Sequence, residues 1–309
     1  MPAARLAAQR DHVAVSDFIA RGYHEFERGV DPAAAAALLA EIRATRRFDG
    51  TLFLSEAEFD ACPQYTGVNP RPGRNLLDTL KSRLGFVERD EAIVESLTAM
   101  LGEGYELLNR KIVCGVPASA VPGWLRARIE GNPVNNLGAW VKPPYRDITY
   151  FYGIDFHQYL IDFKDRDADF VTLYVYLHEV GRRDAPLFLL EDSHRLGATV
   201  FPHDLTRTEA GWLYRDGRGG GIDCRQRLLT GAAGYAAMWH GCTLHGTQPD
   251  AADHERLSLR YLFAKNTTAR TGIDEVNAAI EGPISLAATR EDLDAQGAAR
   301  VRRNAVNAA

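Results

Sequence analysis

The chain has 309 residues, 46% of them apolar and 25% charged, with a formal net charge of −5. That length and composition suit a soluble globular protein with one large domain or two ordinary ones. The slight acidity leaves no electrostatic footprint for nucleic acid, no apolar run reaches bilayer-spanning length, and the opening MPAARLAAQRDHVAV lacks the apolar core and cleavage site of a secretion signal.

Cys62, Cys114, Cys224 and Cys242 are scattered, form no metal-type pair and read as free thiols of a cytoplasmic protein. In chain order, Asp31 followed by PAAAAALLAEIRAT predicts a helix with Asp31 as N-cap and Pro32 at its first position. Segments 75–85 and 89–101 repeat apolar residues at helical spacing. From Tyr105 the texture changes to short β-rich runs: YELLNRKIVCGV, LGAWVK, DITYFYGIDFH, FVTLYVYLHEV, PLFLLE, GYAAMWHG and RLSLRYLFAK. Segment 211–227, rich in Gly and Arg, reads as a long loop, and the tail after about 283 as a weak helix that frays. The expectation is a single domain spanning 1–309, mainly β with flanking helices. It has a helical part over about 1–104, a β-core over about 105–266 and a tail over about 267–309.

The chemistry begins with histidines. A non-haem iron(II) oxygenase holds its metal with two His and one carboxylate, in the pattern His-x-Asp followed by a distant His. His157 in GIDFHQYLIDF and His245 in WHGCTLHGTQPDAADHERLSLRY are the candidate ligands. Arg256 follows His245 by eleven residues, and alternation puts Arg256, Ser258 and Arg260 on one strand face. A guanidinium offers a planar fork of donors that matches a carboxylate.

From Lys142 to Tyr261 the chain resembles the phytanoyl-CoA dioxygenase family. The resemblance rests on Lys142-Pro143-Pro144 before the first His, His157-Gln158, FVTLYVYLHEV, a degenerate Leu190-Glu191-Asp192-Ser193-His194 element, WHGCTLHGT, and an opening at Phe18–Tyr23. It implies a double-stranded β-helix (jelly-roll or cupin-like) core and an iron(II)/2-oxoglutarate-dependent oxygenase that oxidises an unactivated C–H of a small-molecule metabolite or natural product. It implies His157 and His245 as metal ligands and Arg256, rather than Arg260, on the distal carboxylate of 2-oxoglutarate. Thr247, Tyr174 and Thr172 would line the co-substrate pocket.

The family's metal Asp should fall at position 159, where this chain has Tyr159. Asp155 or Asp162 could substitute, the Tyr159 phenolate could ligate, or the pocket could serve non-oxidative chemistry or ligand binding without the metal. A halogenase, which needs a small residue there, is disfavoured by the bulk of Tyr. The stretch 117–136 reads as a loop at the pocket mouth, with Trp124, Arg126, Arg128, Asn135 and Asn136 placed to meet substrate beside Lys142. His194 and His240 read as structural, and His178, His203 and His254 as surface residues.

Overall fold

The computed structural model describes residues 12–62, 75–293 and 300. The chain opens with α1 (Val13–Arg21), β1 (Tyr23–Glu25), α2 (Pro32–Thr45), α3 (Glu56–Asp60), α4 (Gly85–Glu88) and α5 (Glu91–Leu101). Asp31 caps α2 as its sequence predicts, its Oδ1 accepting the Ala33 and Ala34 N–H groups at 2.8 and 3.2 Å. Segment 75–85 forms two short 3₁₀ turns rather than a full helix.

The β-rich part contributes β2 (Glu106–Gly115), then α6 (Gly123–Ile129), β3 (Val134–Asn136), β4 (Thr149–His157), β5 (Phe170–Tyr176) and β6 (Leu187–Leu190). It continues with β7 (Asp204–Arg207), β8 (Trp212–Arg215), β9 (Gly221–Cys224), β10 (Gln226–Leu229), β11 (Ala236–His240), β12 (His245–Thr247), β13 (Arg256–Ala264) and α7 (Gly272–Ala278). One mixed sheet runs β1-β11-β5-β13-β2-β4-β12-β6-β10, with β3 added on β4, and a second sheet runs β7-β8-β9.

The large sheet curls onto itself. Strands β11 and β12 are five steps apart in its order, roughly 24 Å in a flat sheet. Yet the Trp239 and His245 ring centroids lie 5.2 Å apart. Mostly β, curled and braced by helices, the molecule has the jelly-roll core that the sequence predicts.

Strand alternation sorts the residues into layers. On β13, Leu257, Leu259, Tyr261 and Phe263 join Val171, Leu173 and Val175 of β5 against the helices. The opposite faces turn inward, where Tyr174 and Tyr176 meet Trp239, Leu187 and Leu189. Phe188 and Leu190 point the other way, onto Trp212 and Tyr214 of the small sheet.

The mainly helical first hundred residues also carry one strand, since β1 pairs with β11 at the end of the large sheet. Three expectations need correction. Segment 211–227 is not a loop. It builds β8, β9 and the start of β10, with Trp212 and Cys224 as the inward anchors of a pattern too polar to read as strand. LGAWVK supplies only an isolated bridge at Val141, paired with Phe53. The stretch 117–136 holds α6 and β3, because Leu125 and Ile129 give α6 a buried face. Part of the expected tail helix lies outside the described residues.

Candidate functional site

His157 ends β4 and His245 opens β12, and the two are direct cross-strand partners. Their ring centroids stand 4.1 Å apart. The next registered pair is Ile154 with Thr247, so β4 carries one extra residue across this step. That bulge breaks the alternation and sends both Ile154 and His157 to the cavity wall. The side chain of Asp155 therefore faces elsewhere, its Oδ1 accepting the Phe156 N–H at 2.8 Å. A regular strand would have put it beside His157, and that expectation is corrected.

The Nδ1 of His157 lies 3.0 Å from the Asp155 carbonyl and the Nδ1 of His245 lies 3.0 Å from the Thr243 carbonyl. A carbonyl only accepts, so each imidazole holds its proton on Nδ1 and keeps a lone pair on Nε2. The His245 Nε2 is buried and has no hydrogen-bond partner. Burial pushes His157 down to about 4 and His245 well below its ordinary value, so both rings are neutral at pH 7.

Tyr159 stacks on His245, centroids 4.6 Å apart. It begins the 3₁₀ turn Tyr159–Asp162, which carries Asp162 round to the cavity wall. The Tyr159 hydroxyl accepts from Nη1 of Arg260 at 3.1 Å. Burial raises its pKa above the ordinary phenol value, so the phenol keeps its proton.

These residues surround a cavity of about 110 Å³. Its wall includes Tyr174, Thr247, Arg256, Arg260 and Asn136 among the residues singled out in the sequence, together with Lys111 and Arg290, which were not. Arg256 is fully buried, with Nη1 donating to Ser258 Oγ at 3.0 Å and Nε without a partner. Gly115 on the neighbouring strand makes room for it, since a Cβ there would sit 3.2 Å from that Nε. The Thr247 hydroxyl donates to the Ala185 carbonyl at 2.9 Å, so it turns a lone pair rather than a donor toward the cavity.

Other predicted residues lie elsewhere. Thr172 is buried but is not part of the wall, and its Oγ1 has no partner. Trp124 packs on Phe59, Arg126 is exposed on α6, and Lys142 donates to the Thr51 carbonyl at 3.0 Å. Arg128 is held by Glu56 and Asp60 rather than facing a ligand. Helix formation over 123–129 keeps Trp124, Arg126 and Arg128 off the cavity wall, and Asn135 and Lys142 are not on it either, so their expected place beside substrate is corrected; Asn136 alone of the six substrate candidates lines the cavity. His240 is structural as expected, bonded to Asn277 and to the Cys242 N–H. His203 and His178 are partly buried rather than on the surface, the former 2.7 Å from Thr199 Oγ1, the latter accepting the Leu257 N–H.

Whether this set fits a metal divides in two. The two Nε2 lone pairs, on rings that share the cavity wall and one of them buried and orphaned, fit two positions of a coordination sphere. The third ligand of a facial triad is missing, since among the described residues no three His, Cys, Asp or Glu side chains cluster to hold a metal.

No known protein family matches the chain, and no curated protein matches it. Among solved structures it is similar to the epimerase SnoN in complex with Fe3+, alpha ketoglutarate and nogalamycin RO. The identity is 17% over 99% of this chain and 96% of that one, with a TM-score of 0.49. It is also similar to the non-heme monooxygenase ThoJ, at 16% identity over 83% of this chain and 80% of that one, TM-score 0.48. EvdO2 from Micromonospora carbonacea var. aurantiaca, complexed with 2-oxoglutarate, is 15% identical over 83% of this chain and 91% of its own, TM-score 0.46. Values this low transfer no function, so what the chain can do has to follow from its own residues.

Proposed function

We propose that this chain is an enzyme that binds iron(II) and 2-oxoglutarate in the cavity of the roll and oxidises a C–H bond of a small-molecule substrate there. One observation carries the reading: His157 and His245 meet across paired strands with both Nε2 atoms unprotonated, in a cavity that also holds the buried, unpaired Arg256. A buried guanidinium without a counter-charge is costly unless a ligand supplies one.

In this reading His157 and His245 hold the metal and Arg256 takes the distal carboxylate of 2-oxoglutarate. When bound, iron(II) with 2-oxoglutarate supplies O₂-dependent oxidation coupled to decarboxylation to succinate. The protein's own part is positional. The Asp155 and Thr243 carbonyls fix the tautomer and tilt of the two rings. Burial keeps both imidazoles unprotonated. Phe151, Ile154 and Leu187 line the wall with apolar groups that restrict water. Tyr159, accepting from Arg260, has its own O–H proton left to donate into the cavity.

Tyr159 also favours a second reading. A protonated phenol two residues after His157 offers no anionic third ligand, and the same cavity would then bind a dicarboxylate without metal. Anaerobic addition of iron(II) and 2-oxoglutarate to the purified protein separates the two. A weak visible absorption band that needs both additions is the expected result. Calorimetric 2-oxoglutarate binding with no band and no retained iron after dialysis supports the second reading. Failure to bind either rejects both.

A further inference from the structure

Lys111 on β2 and Arg260 on β13 are direct cross-strand partners, and both side chains line the cavity. Like charges facing each other on neighbouring strands repel, and burial strengthens the repulsion. Neither cation is neutralised by an ion pair among the described residues. Arg260 is only 7% exposed. Its Nη1 and Nη2 donate to neutral oxygens, Tyr159 Oη at 3.1 Å and Asn109 Oδ1 at 3.3 Å, and its Nε is buried with no partner. Arg290, also on the wall, is already tied to Asp292 at 2.7 Å. Asp162 is the one carboxylate on the wall; it forms no salt bridge with Lys111 or Arg260, though its charge acts on both. Lys111 is half-buried, and even with Asp162 counted, Lys111, Arg256 and Arg260 leave the cavity with more positive charge than one anion bound at Arg256 would neutralise. Arg256 and Arg260 are four residues apart along β13, roughly 13 Å between their Cα atoms.

We infer that Lys111 and Arg260 form a second anion clamp, which takes a carboxylate or phosphate group of the substrate while Arg256 holds the co-substrate. The assignment to substrate rests on the proposed role of Arg256, but the existence of an anion site does not. Burial, then the charge of Arg260, pushes the Lys111 ammonium down to about 8, against the smaller opposing pull of Asp162. Tyr159 and Asn109 hold the guanidinium in place as positioning residues.

The test titrates inorganic phosphate and, separately, acetate into the full-length protein by calorimetry, with and without saturating 2-oxoglutarate. The two anions distinguish a phosphate from a carboxylate preference. The variants are Lys111→Met, which keeps the aliphatic stem, Arg260→Lys, which keeps the charge, and Arg256→Ala. Wild type is expected to bind one of the anions beside 2-oxoglutarate. Lys111→Met is expected to weaken that anion by about tenfold or more, since charge-assisted hydrogen bonds are the strong ones, and to leave 2-oxoglutarate affinity unchanged. Arg260→Lys should retain most of the binding, and an unchanged urea midpoint for Lys111→Met shows that the fold is intact. The inference is overturned if neither anion binds wild type. It is also overturned if Lys111→Met leaves anion affinity unchanged, or weakens 2-oxoglutarate as much as Arg256→Ala does. If Arg256→Ala spares 2-oxoglutarate while Lys111→Met still removes the second anion, the clamp stands and the co-substrate reading falls.

Discussion

At the scale of single residues, Tyr159 decides what the two imidazoles can do. Its ring covers one face of His245, and its oxygen is occupied by Arg260. Replacing it by Asp removes the stacked ring and restores a carboxylate two residues after His157, the spacing a facial triad needs. The Tyr159→Asp protein is expected to bind iron(II) about tenfold more tightly in anaerobic chelator competition, about 1.4 kcal/mol. It should also lose about 3 kcal/mol of stability from the space the ring vacates. No gain in metal affinity would show a pocket rebuilt for another purpose. His157, His245 and Arg256, singled out together in the sequence by their spacing, all line one cavity. Lys111 was not legible in this way. In YELLNRKIVCGV it reads as one more polar residue of an alternating strand, and only the register with β13 reveals Arg260 opposite it. Trp124 and Arg126 lie off the wall for a related reason, since the turn residues around them mask a helix, while Lys142 is drawn away by the Thr51 carbonyl.

At the scale of elements, β5 and β13 are readable as strands because burial of both faces by distinct layers gives long β-rich runs. The bulge in β4 was not, since an extra residue leaves no compositional mark, and it is what separates Asp155 from His157. The β4–β12 junction depends on Gly246. A Cβ there would lie 2.7 Å from Phe188 Cε2 and 2.8 Å from the Ile154 carbonyl oxygen. The ring can turn, but the carbonyl belongs to the partner strand, so β12 must move away from β4. Gly246→Ala is expected to cost about 1–3 kcal/mol in urea unfolding, the usual range for overpacking. It should also weaken any ligand that bridges His157 and His245. A variant with wild-type stability and binding would mean that the two strands are not held at this separation by the glycine.

For the molecule as a whole, curling the sheet brings residues from both ends of its strand order into one enclosed space, and the enclosure has a cost that pH exposes. Burial lowers His194 to about 3 and His157 and His240 to about 4, and drives His245 well below its ordinary value. In the unfolded chain each of these returns to the ordinary value of 6.5. Between about 6.5 and 4 the unfolded state therefore binds more protons than the folded one, and stability falls as the pH falls. The slope is about 1.4 kcal/mol per pH unit for each imidazole that stays neutral in the fold. Asp250 acts in the opposite sense, because burial raises its carboxyl to about 6, so the folded state holds that proton first. His203, likewise lowered by burial to about 3, joins them, and one carboxyl against five imidazoles offsets only part of the slope. Below about 4 the carboxylates held low by hydrogen bonds, Asp49, Glu58, Asp216 and Asp274, add to the loss as they take up protons. Urea midpoints are thus expected to be near their highest by pH 7 and to drop steeply between pH 6.5 and 4.5. A flat profile across that interval would mean that the buried imidazoles are already charged in the fold, and the neutral lone pairs on which the proposed metal binding depends would be lost with them.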